Sequence, residues 1–479
     1  MMISKDINQD CINSLKDLGC STVFYSPGGQ NASLIEVIKK NNYFKAYNIL
    51  DERSLPFLCL GFYKKTNLPS ALITTSGSAV LNLIPGLAEA KNLYPKIILI
   101  TCDRCHSEVR KQCPQTINHQ ESLKLFSHSY TENPNFGTTT NSYSYPLHVN
   151  LRYKNTSNDT IHSSSNDPLD LLILNEKQHN TDSEVLNWIK SYNGYVINEI
   201  YSDIQTPSAQ NITDLELMSQ MQPLNILSIG DIPTSSYWRR AQSKNKIYRY
   251  QKNFKKLGHV YAKQIKKEEL INLKFKLNKS LKPNNNSRIF PRNSEIAICS
   301  DILKLIPNHS NLIVANSSPI RWFNHLKNTG SLFKDNINIY CNRNINGIDG
   351  LISTAIGIHL SDSQKLTYLI IGDQSFLYNI NCLEIVANYA NHNFKIIILQ
   401  NFGGGIFTNF TSKEISNRKH NFTFQQVSQN FQLNYTQNLV DFENNQIIEL
   451  ICNNEQTYSF VQKIKQGEKY DNLEKHKRI

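Results

Sequence analysis

The chain has 479 residues, 39% hydrophobic and 19% charged, enough apolar material for two or three packed domains. Lys and Arg outnumber Asp and Glu by 51 to 39, a net charge of +12, but the basic residues are scattered. The densest runs, Lys263–Lys267 and Lys475–Arg478, read as a solvated helix face and a chain terminus, so nucleic acid is not an expected partner.

The N-terminal part alternates helix and strand. A helical pattern over Ile7–Leu18 leads to a strand at Thr22–Tyr25, the turn Ser26–Asn31 and a helix from Ala32. A strand at Ala46–Leu50 ends in Asp51-Glu52-Arg53-Ser54, ahead of a helix over Leu55–Tyr63. The strand Ser70–Thr74 ends in Thr75-Ser76-Gly77-Ser78, and Lys96–Thr101 ends in Cys102-Asp103-Arg104. Strands and helices alternating at this pace predict a parallel sheet covered on both faces, with Leu147–Leu151 as its last strand. Residues 153–182, rich in Ser, Asn, Asp and His, read as an exposed linker. A short middle section has strands near Gly194–Ile197 and Asn225–Ile229 and a basic helix at Val260–Leu273, and a second α/β unit runs from about 263 to the end. The division is then 1–182, 183–262 and 263–479. The ten cysteines are dispersed; Cys102 and Cys105 have no second pair at zinc-site spacing, which leaves free thiols as the expectation. Met1–Asp10 lacks the apolar centre of a signal peptide and no apolar run is long enough for a membrane span, so a cytoplasmic protein is expected.

The chemistry is concentrated in the last unit. An apolar strand, Leu366–Ile371, ends in Gly372-Asp373-Gln374-Ser375, and a second, Phe394–Leu399, ends in Gln400-Asn401-Phe402-Gly403-Gly404-Gly405. In a parallel sheet both ends fall on the carboxyl edge, where ligands bind. Asp373 and Asn401 can converge there on one hard cation. Magnesium takes oxygen ligands and shares them with phosphates, and the glycines allow close approach of a diphosphate.

These strings, with Asn316-Ser317, Asn342-Arg343, Gly347-Ile348-Asp349-Gly350, Gln115-Thr116-Ile117 and Gly404-Gly405-Ile406-Phe407, resemble in order the thiamine-diphosphate enzymes, and among them the MenD family of menaquinone synthesis. The resemblance implies two parallel-sheet domains, of pyrimidine and diphosphate type, flanking a shortened α/β middle domain. It implies thiamine diphosphate and Mg²⁺ as cofactors and a transferase that decarboxylates 2-oxoglutarate and adds the remaining unit to isochorismate. It also implies a homodimer or homotetramer with the cofactor between chains.

Carried over position by position, Glu52 is the catalytic acid-base group at the cofactor's ring nitrogen. Ser76, Gly77, Gln374, Ser375 and Phe407 line the cofactor, Ile348 is its apolar wedge, and Asp373, Asn401 and the Gly403 carbonyl are the metal ligands. Arg104, Arg321 and Arg343 suit dianionic substrates because a guanidinium grips a carboxylate at two points, with Gln115 and Ser317 adding neutral hydrogen bonds. Arg239 and Arg240 replace a basic pair of the middle domain. Each residue also has an ordinary reading: a helix N-terminal acid for Glu52, a core residue for Ile348 or Phe407, a surface ion pair for any one arginine.

The chain departs from the family in three places. The first loop reads Pro27-Gly28-Gly29-Gln30, so an arginine facing a substrate carboxylate has become Gln30. Losing a charge-assisted contact costs roughly 1.5–3 kcal/mol. The spacing from Asp373 to Asn401 is about one residue longer than the family's, and the middle section is shorter. These differences leave open another thiamine-dependent carboligase or decarboxylase, or a non-catalytic paralogue.

Overall fold

The computed structural model describes residues 3–103, 117–132, 134–137, 143–150, 169–199, 202–207, 210–211, 225–230, 246–250, 263–264, 267–271, 290–328, 336–403, 405, 419–441 and 444–465. They form three six-stranded sheets, with every strand pair parallel.

The first sheet contains β1 (Thr22–Tyr25), β2 (Lys45–Asn48), β3 (Ser70–Thr74), β4 (Ile97–Thr101), β5 (Ser129–Thr131) and β6 (Leu147–Val149), in the order β2-β1-β3-β4-β6-β5. β1, β3 and β4 are buried along their whole length, as near-continuous apolar runs with helices on both faces must be. The third sheet contains β13 (Asn311–Val314), β14 (Asn338–Tyr340), β15 (Thr367–Gly372), β16 (Phe394–Gln400), β17 (Tyr435–Thr436) and β18 (Ile447–Ile451). Its order, β14-β13-β15-β16-β18-β17, repeats that of the first sheet strand for strand. The two end domains share one topology although their sequences show no internal repeat.

The middle sheet contains β7 (Leu171–Asn175), β8 (Tyr195–Asn198), β9 (Gln210–Asn211), β10 (Asn225–Gly230), β11 (Lys246–Tyr250) and β12 (Lys263–Gln264), in the order β12-β11-β10-β7-β8-β9. Two sequence expectations are corrected here. β7 lies inside the stretch read as a linker; all five of its residues are buried and it is central in its sheet. Polar neighbours mask four consecutive apolar residues that need cover on both faces. The basic segment expected as one helix contains β12, paired with β11, and is helical only at Lys267–Ile271 among the described residues.

Cross-domain contacts hold the end domains together. Helices Ser54–Thr66 and Leu351–Ser361 cross so closely that a Cβ on Gly61 would fall 2.0 Å from the Thr354 carbonyl oxygen, and one on Gly357 2.2 Å from that of Leu58. Glu89, 2% exposed, accepts from the backbone N–H groups of Asn344 and Ile345, each at 2.9 Å. The middle domain is held to the third by Lys327, which donates to the carbonyl oxygens of Glu199 and Ser202.

Gly61→Ala must push the two helices apart, so we expect a loss of about 1–3 kcal/mol and a thermal midpoint lower by several degrees. Gly29, which has nothing within 4 Å of an added Cβ, is the control: Gly29→Ala should leave the midpoint unchanged.

Candidate active site

In both end sheets the strand order reverses beside the first strand, between β1 and β3 and between β13 and β15. The crevice at such a switch point, outside the carboxyl ends of the strands, is where open α/β sheets bind ligands. The site residues read from the sequence that fall among the described residues all follow the carboxyl ends of strands of these two sheets.

At the first edge, Asn31 ties the β1 turn to itself: its Nδ2 donates to the Ser26 carbonyl at 2.8 Å and its Oδ1 accepts from Gly28 N at 2.7 Å. Gln30 is half-buried in this turn. After β3, Ser76 is buried and its hydroxyl has no hydrogen-bond partner among the described residues. Gly77 has φ +79 and ψ −140, a backbone state closed to side-chain-bearing residues. Glu52 is half-buried, and its carboxylate makes no ion pair or hydrogen bond among the described residues. Its neighbours are committed. Asp51 pairs with Arg53 at 2.6 Å and accepts from Asn381 Nδ2 of the third domain, which brings the Glu52 loop against the segment that follows β15.

At the third edge, β15 and β16 pair in register from Thr367–Phe394 to Gly372–Leu399, which sets Asp373 beside the end of β16. Asp373 is 2% exposed. Its Oδ2 accepts from the backbone N–H groups of Asn401 and Gly403, both at 3.1 Å, and lies 3.2 Å from His420 Nε2. The extra residue in the spacing therefore does not separate Asp373 from Asn401. The double amide also divides its work: Gln400 turns inward, donating to Glu449 Oε1 at 2.8 Å, while Asn401 stands beside Asp373. A carboxylate, a carboxamide oxygen and a glycine carbonyl are hard oxygen donors of the kind magnesium takes, so the residues present fit such a cation. Gln374 and Ser375 follow on helix Asp373–Tyr378, where Ser375 is buried.

Ile348 is half-buried and belongs to none of the hydrophobic cores, so it is not an ordinary core isoleucine. Its carbonyl accepts from Asn379 Nδ2 at 2.6 Å. Arg343 is buried and donates to Asn316 Oδ1 at 2.9 Å, and Asn316 in turn donates to the Gly347 carbonyl at 2.7 Å. Those two bonds join the β13 end, where Ser317 has φ +75, to the Ile348 loop. Arg321 sits half-buried on helix Ser318–Asn328. Arg104, Gln115, Phe407, Arg239 and Arg240 lie outside the described residues.

Several residues of the site neighbourhood escaped the sequence reading. Glu295, 2% exposed, contacts Asn401, and burial raises its pKa. Its only sequence signal is a Ser-Glu helix start, which most surface helices share. His420 reaches Asp373 from a distant segment. At the first edge Thr101 Oγ1 lies 2.9 Å from His148 Nε2 and 3.2 Å from His119 Nδ1, with Asp103 3.5 Å from His119 Nε2. Cys102, the first thiol of the Cys-x-x-Cys spacing, is pushed up to about 12 by burial, which is opposite to an activated thiolate.

Two family models match the chain: the N-terminal TPP binding domain of thiamine pyrophosphate enzymes over residues 6–123, and their C-terminal TPP binding domain over residues 348–444. A solved structure of benzoylformate decarboxylase from Polynucleobacter necessarius superposes with a TM-score of 0.68, covering 94% of this chain and 98% of that one at 12% identity, a likeness of fold. Both ends of the chain thus match the binding domains of one class, the thiamine pyrophosphate enzymes. Within that class it is similar to 2-succinyl-5-enolpyruvyl-6-hydroxy-3-cyclohexene-1-carboxylate synthases. That of Flavobacterium johnsoniae is 27% identical, covering 83% of this chain and 84% of its own length. That of Bdellovibrio bacteriovorus is 25% identical, covering 96% and 98%.

His148 is 0% exposed, and burial, with a smaller push from His119, holds its pKa down at about 3. The native imidazole is neutral, while the unfolded one takes a proton near pH 6.5. Its contribution is therefore fully present above that pH and is lost as pH falls from about 6.5 toward 3. By pH 4.5 the loss should reach roughly 2–3 kcal/mol. Urea midpoints measured from pH 8 to 4.5 should show it, and His148→Gln should flatten the acid limb.

Proposed function

We propose that this chain is a 2-succinyl-5-enolpyruvyl-6-hydroxy-3-cyclohexene-1-carboxylate synthase dependent on thiamine diphosphate and Mg²⁺. The substrates would be 2-oxoglutarate, which loses carbon dioxide, and isochorismate, which receives the remaining four-carbon unit. The observation that carries the reading is the Asp373–Asn401–Gly403 cluster at the carboxyl ends of β15 and β16, together with a Glu52 carboxylate that has no partner among the described residues.

Asp373 and Asn401, through side-chain oxygens, and Gly403, through its carbonyl, would hold the cation and with it the diphosphate. Ser76, Gly77, Gln374, Ser375 and Phe407 would line the remainder, with Ile348 as the apolar wedge. When bound, thiamine diphosphate supplies an electron sink for the carbon that loses carbon dioxide. Glu52 would hold the proton it shares with the cofactor's ring nitrogen, in a setting that leaves its carboxylate free for that exchange. Arg343, buried and oriented by Asn316, would grip a substrate carboxylate, and Arg321 and Arg104 would serve the others, with Ser317 and Gln115 adding neutral bonds. Holding two dianions together in this way removes most of the entropic cost of joining them. A homodimer or dimer of dimers, a cytoplasmic location, and the three-domain division, with β7 and β12 moved to the middle domain whose sheet they join, belong to the same proposal.

Gln30 favours a second reading, a thiamine-dependent carboligase with another acceptor. A neutral amide in the first switch-point turn grips a carboxylate less tightly than the family's arginine, by roughly 1.5–3 kcal/mol.

One experiment addresses both readings. Thiamine diphosphate and Mg²⁺ are titrated into the purified protein, and carbon dioxide release from 2-oxoglutarate is measured with and without isochorismate. We expect cofactor binding and isochorismate-dependent turnover. Glu52→Gln should lower kcat by about a hundredfold or more while cofactor affinity changes only a few-fold. Binding and carbon dioxide release without any response to isochorismate would replace the acceptor, and failure of the folded protein to bind cofactor would overturn both readings.

A further inference from the structure

The Ser294 hydroxyl caps helix Glu295–Leu305 by accepting from Ala297 N at 3.3 Å, which places Glu295 at the first helical position with its side chain turned into the third domain. Its two oxygens serve donors on two other elements: Oε2 accepts from Trp322 Nε1 at 2.6 Å, and Oε1 accepts from Asn401 Nδ2 at 2.8 Å. A carboxylate only accepts, so it can face only the NH₂ end of the Asn401 amide. The amide is planar. With Nδ2 committed to Glu295, Oδ1 is directed to the opposite side, where it accepts from Gly403 N at 3.1 Å beside Asp373.

We propose that Glu295 is a positioning residue that sets the orientation of the Asn401 amide, so that the oxygen and not the nitrogen is presented to a hard divalent cation. The inference rests on the reading of Asp373, Asn401 and Gly403 as the cation site. It gives a reason for an amide at 401, because a second carboxylate there would oppose Glu295 with like charge. It also gives a reason for a buried carboxylate so close to Asp373. Two buried negative charges are costly without a partner, and a divalent cation offsets both. Groups one step removed from a metal commonly orient its ligands in this way, and removing them typically weakens affinity 10- to 100-fold.

The test is isothermal titration of Mg²⁺ into the full chain saturated with thiamine diphosphate, with bound Mn²⁺ counted by electron paramagnetic resonance and thermal midpoints recorded for each variant. In Glu295→Gln the new amide directs its oxygen to Trp322 and its NH₂ to position 401. Asn401 then flips to accept, its nitrogen faces the cation, and affinity should fall 10- to 100-fold. Asn401→Asp alone should also weaken binding, since two carboxylates meet. The two changes together exchange donor and acceptor across the same contact and leave an oxygen free at 401, so affinity should return to within a few-fold of wild type. Trp322→Phe, which removes the other donor and leaves the Asn401 contact intact, should lower the thermal midpoint but keep Mg²⁺ affinity within a few-fold.

Unchanged affinity in a folded Glu295→Gln protein would overturn the inference. So would a double variant no better than the weaker single one, or Trp322→Phe weakening Mg²⁺ as much as Glu295→Gln does. Absence of Mg²⁺ binding by the wild type in the presence of thiamine diphosphate would instead overturn the cation-site reading beneath it.

Discussion

The crossing of helices Ser54–Thr66 and Leu351–Ser361 is the constraint on which the rest of the molecule depends. Each begins just past a candidate site residue: Glu52 precedes the first, and Ile348 precedes the second. Gly61 and Gly357 let the backbones meet with no side chain between them. That contact packs two domains of identical strand order directly against one another. Asp51 with Asn381, and Glu89 with the amides of Asn344 and Ile345, hold the same relation from either side.

Within that frame the third domain gathers negative charge and oxygen atoms that ordinary packing would avoid. Asp373 and Glu295 are both nearly inaccessible, and Asn401 lies between them with a bond to each. Backbone N–H groups and the indole of Trp322 satisfy the carboxylate oxygens, which lowers the cost of burying charge without cancelling it. In the proposed site a divalent cation would complete the balance. The first domain contributes the opposite kind of group in Glu52, a carboxylate left without a protein partner among the described residues.

The end domains were legible in the sequence because parallel strands buried on both faces are near-continuous apolar runs, and because each ends in a short polar string that chain order places on one edge. The middle domain was less so. Leu171–Leu174 is a strong strand signal, but a polar stretch precedes it, and composition over a long window outweighed four residues. Lys263–Gln264 carries no apolar pattern at all and is a strand only because β11 offers it an edge. Within the site, Asp373 and Asn401 could be read from their strand ends. Glu295, Trp322 and His420 could not, because their roles exist only in the contacts that folding creates between separate segments. The choice between Gln400 and Asn401 likewise required the register of β16, which turns one amide inward and the other outward.

Asp373, Asn401 and Gly403 are proposed to hold the cation that anchors the cofactor. Crystals grown with thiamine diphosphate and Mn²⁺ test it most directly, through the anomalous signal of the metal. One strong peak per chain is expected, with the Asp373 carboxylate, the Asn401 side-chain oxygen and the Gly403 carbonyl each at about 2.0–2.3 Å. A cofactor bound with its metal on other residues, or a peak with Asn401 outside coordination distance, would contradict it.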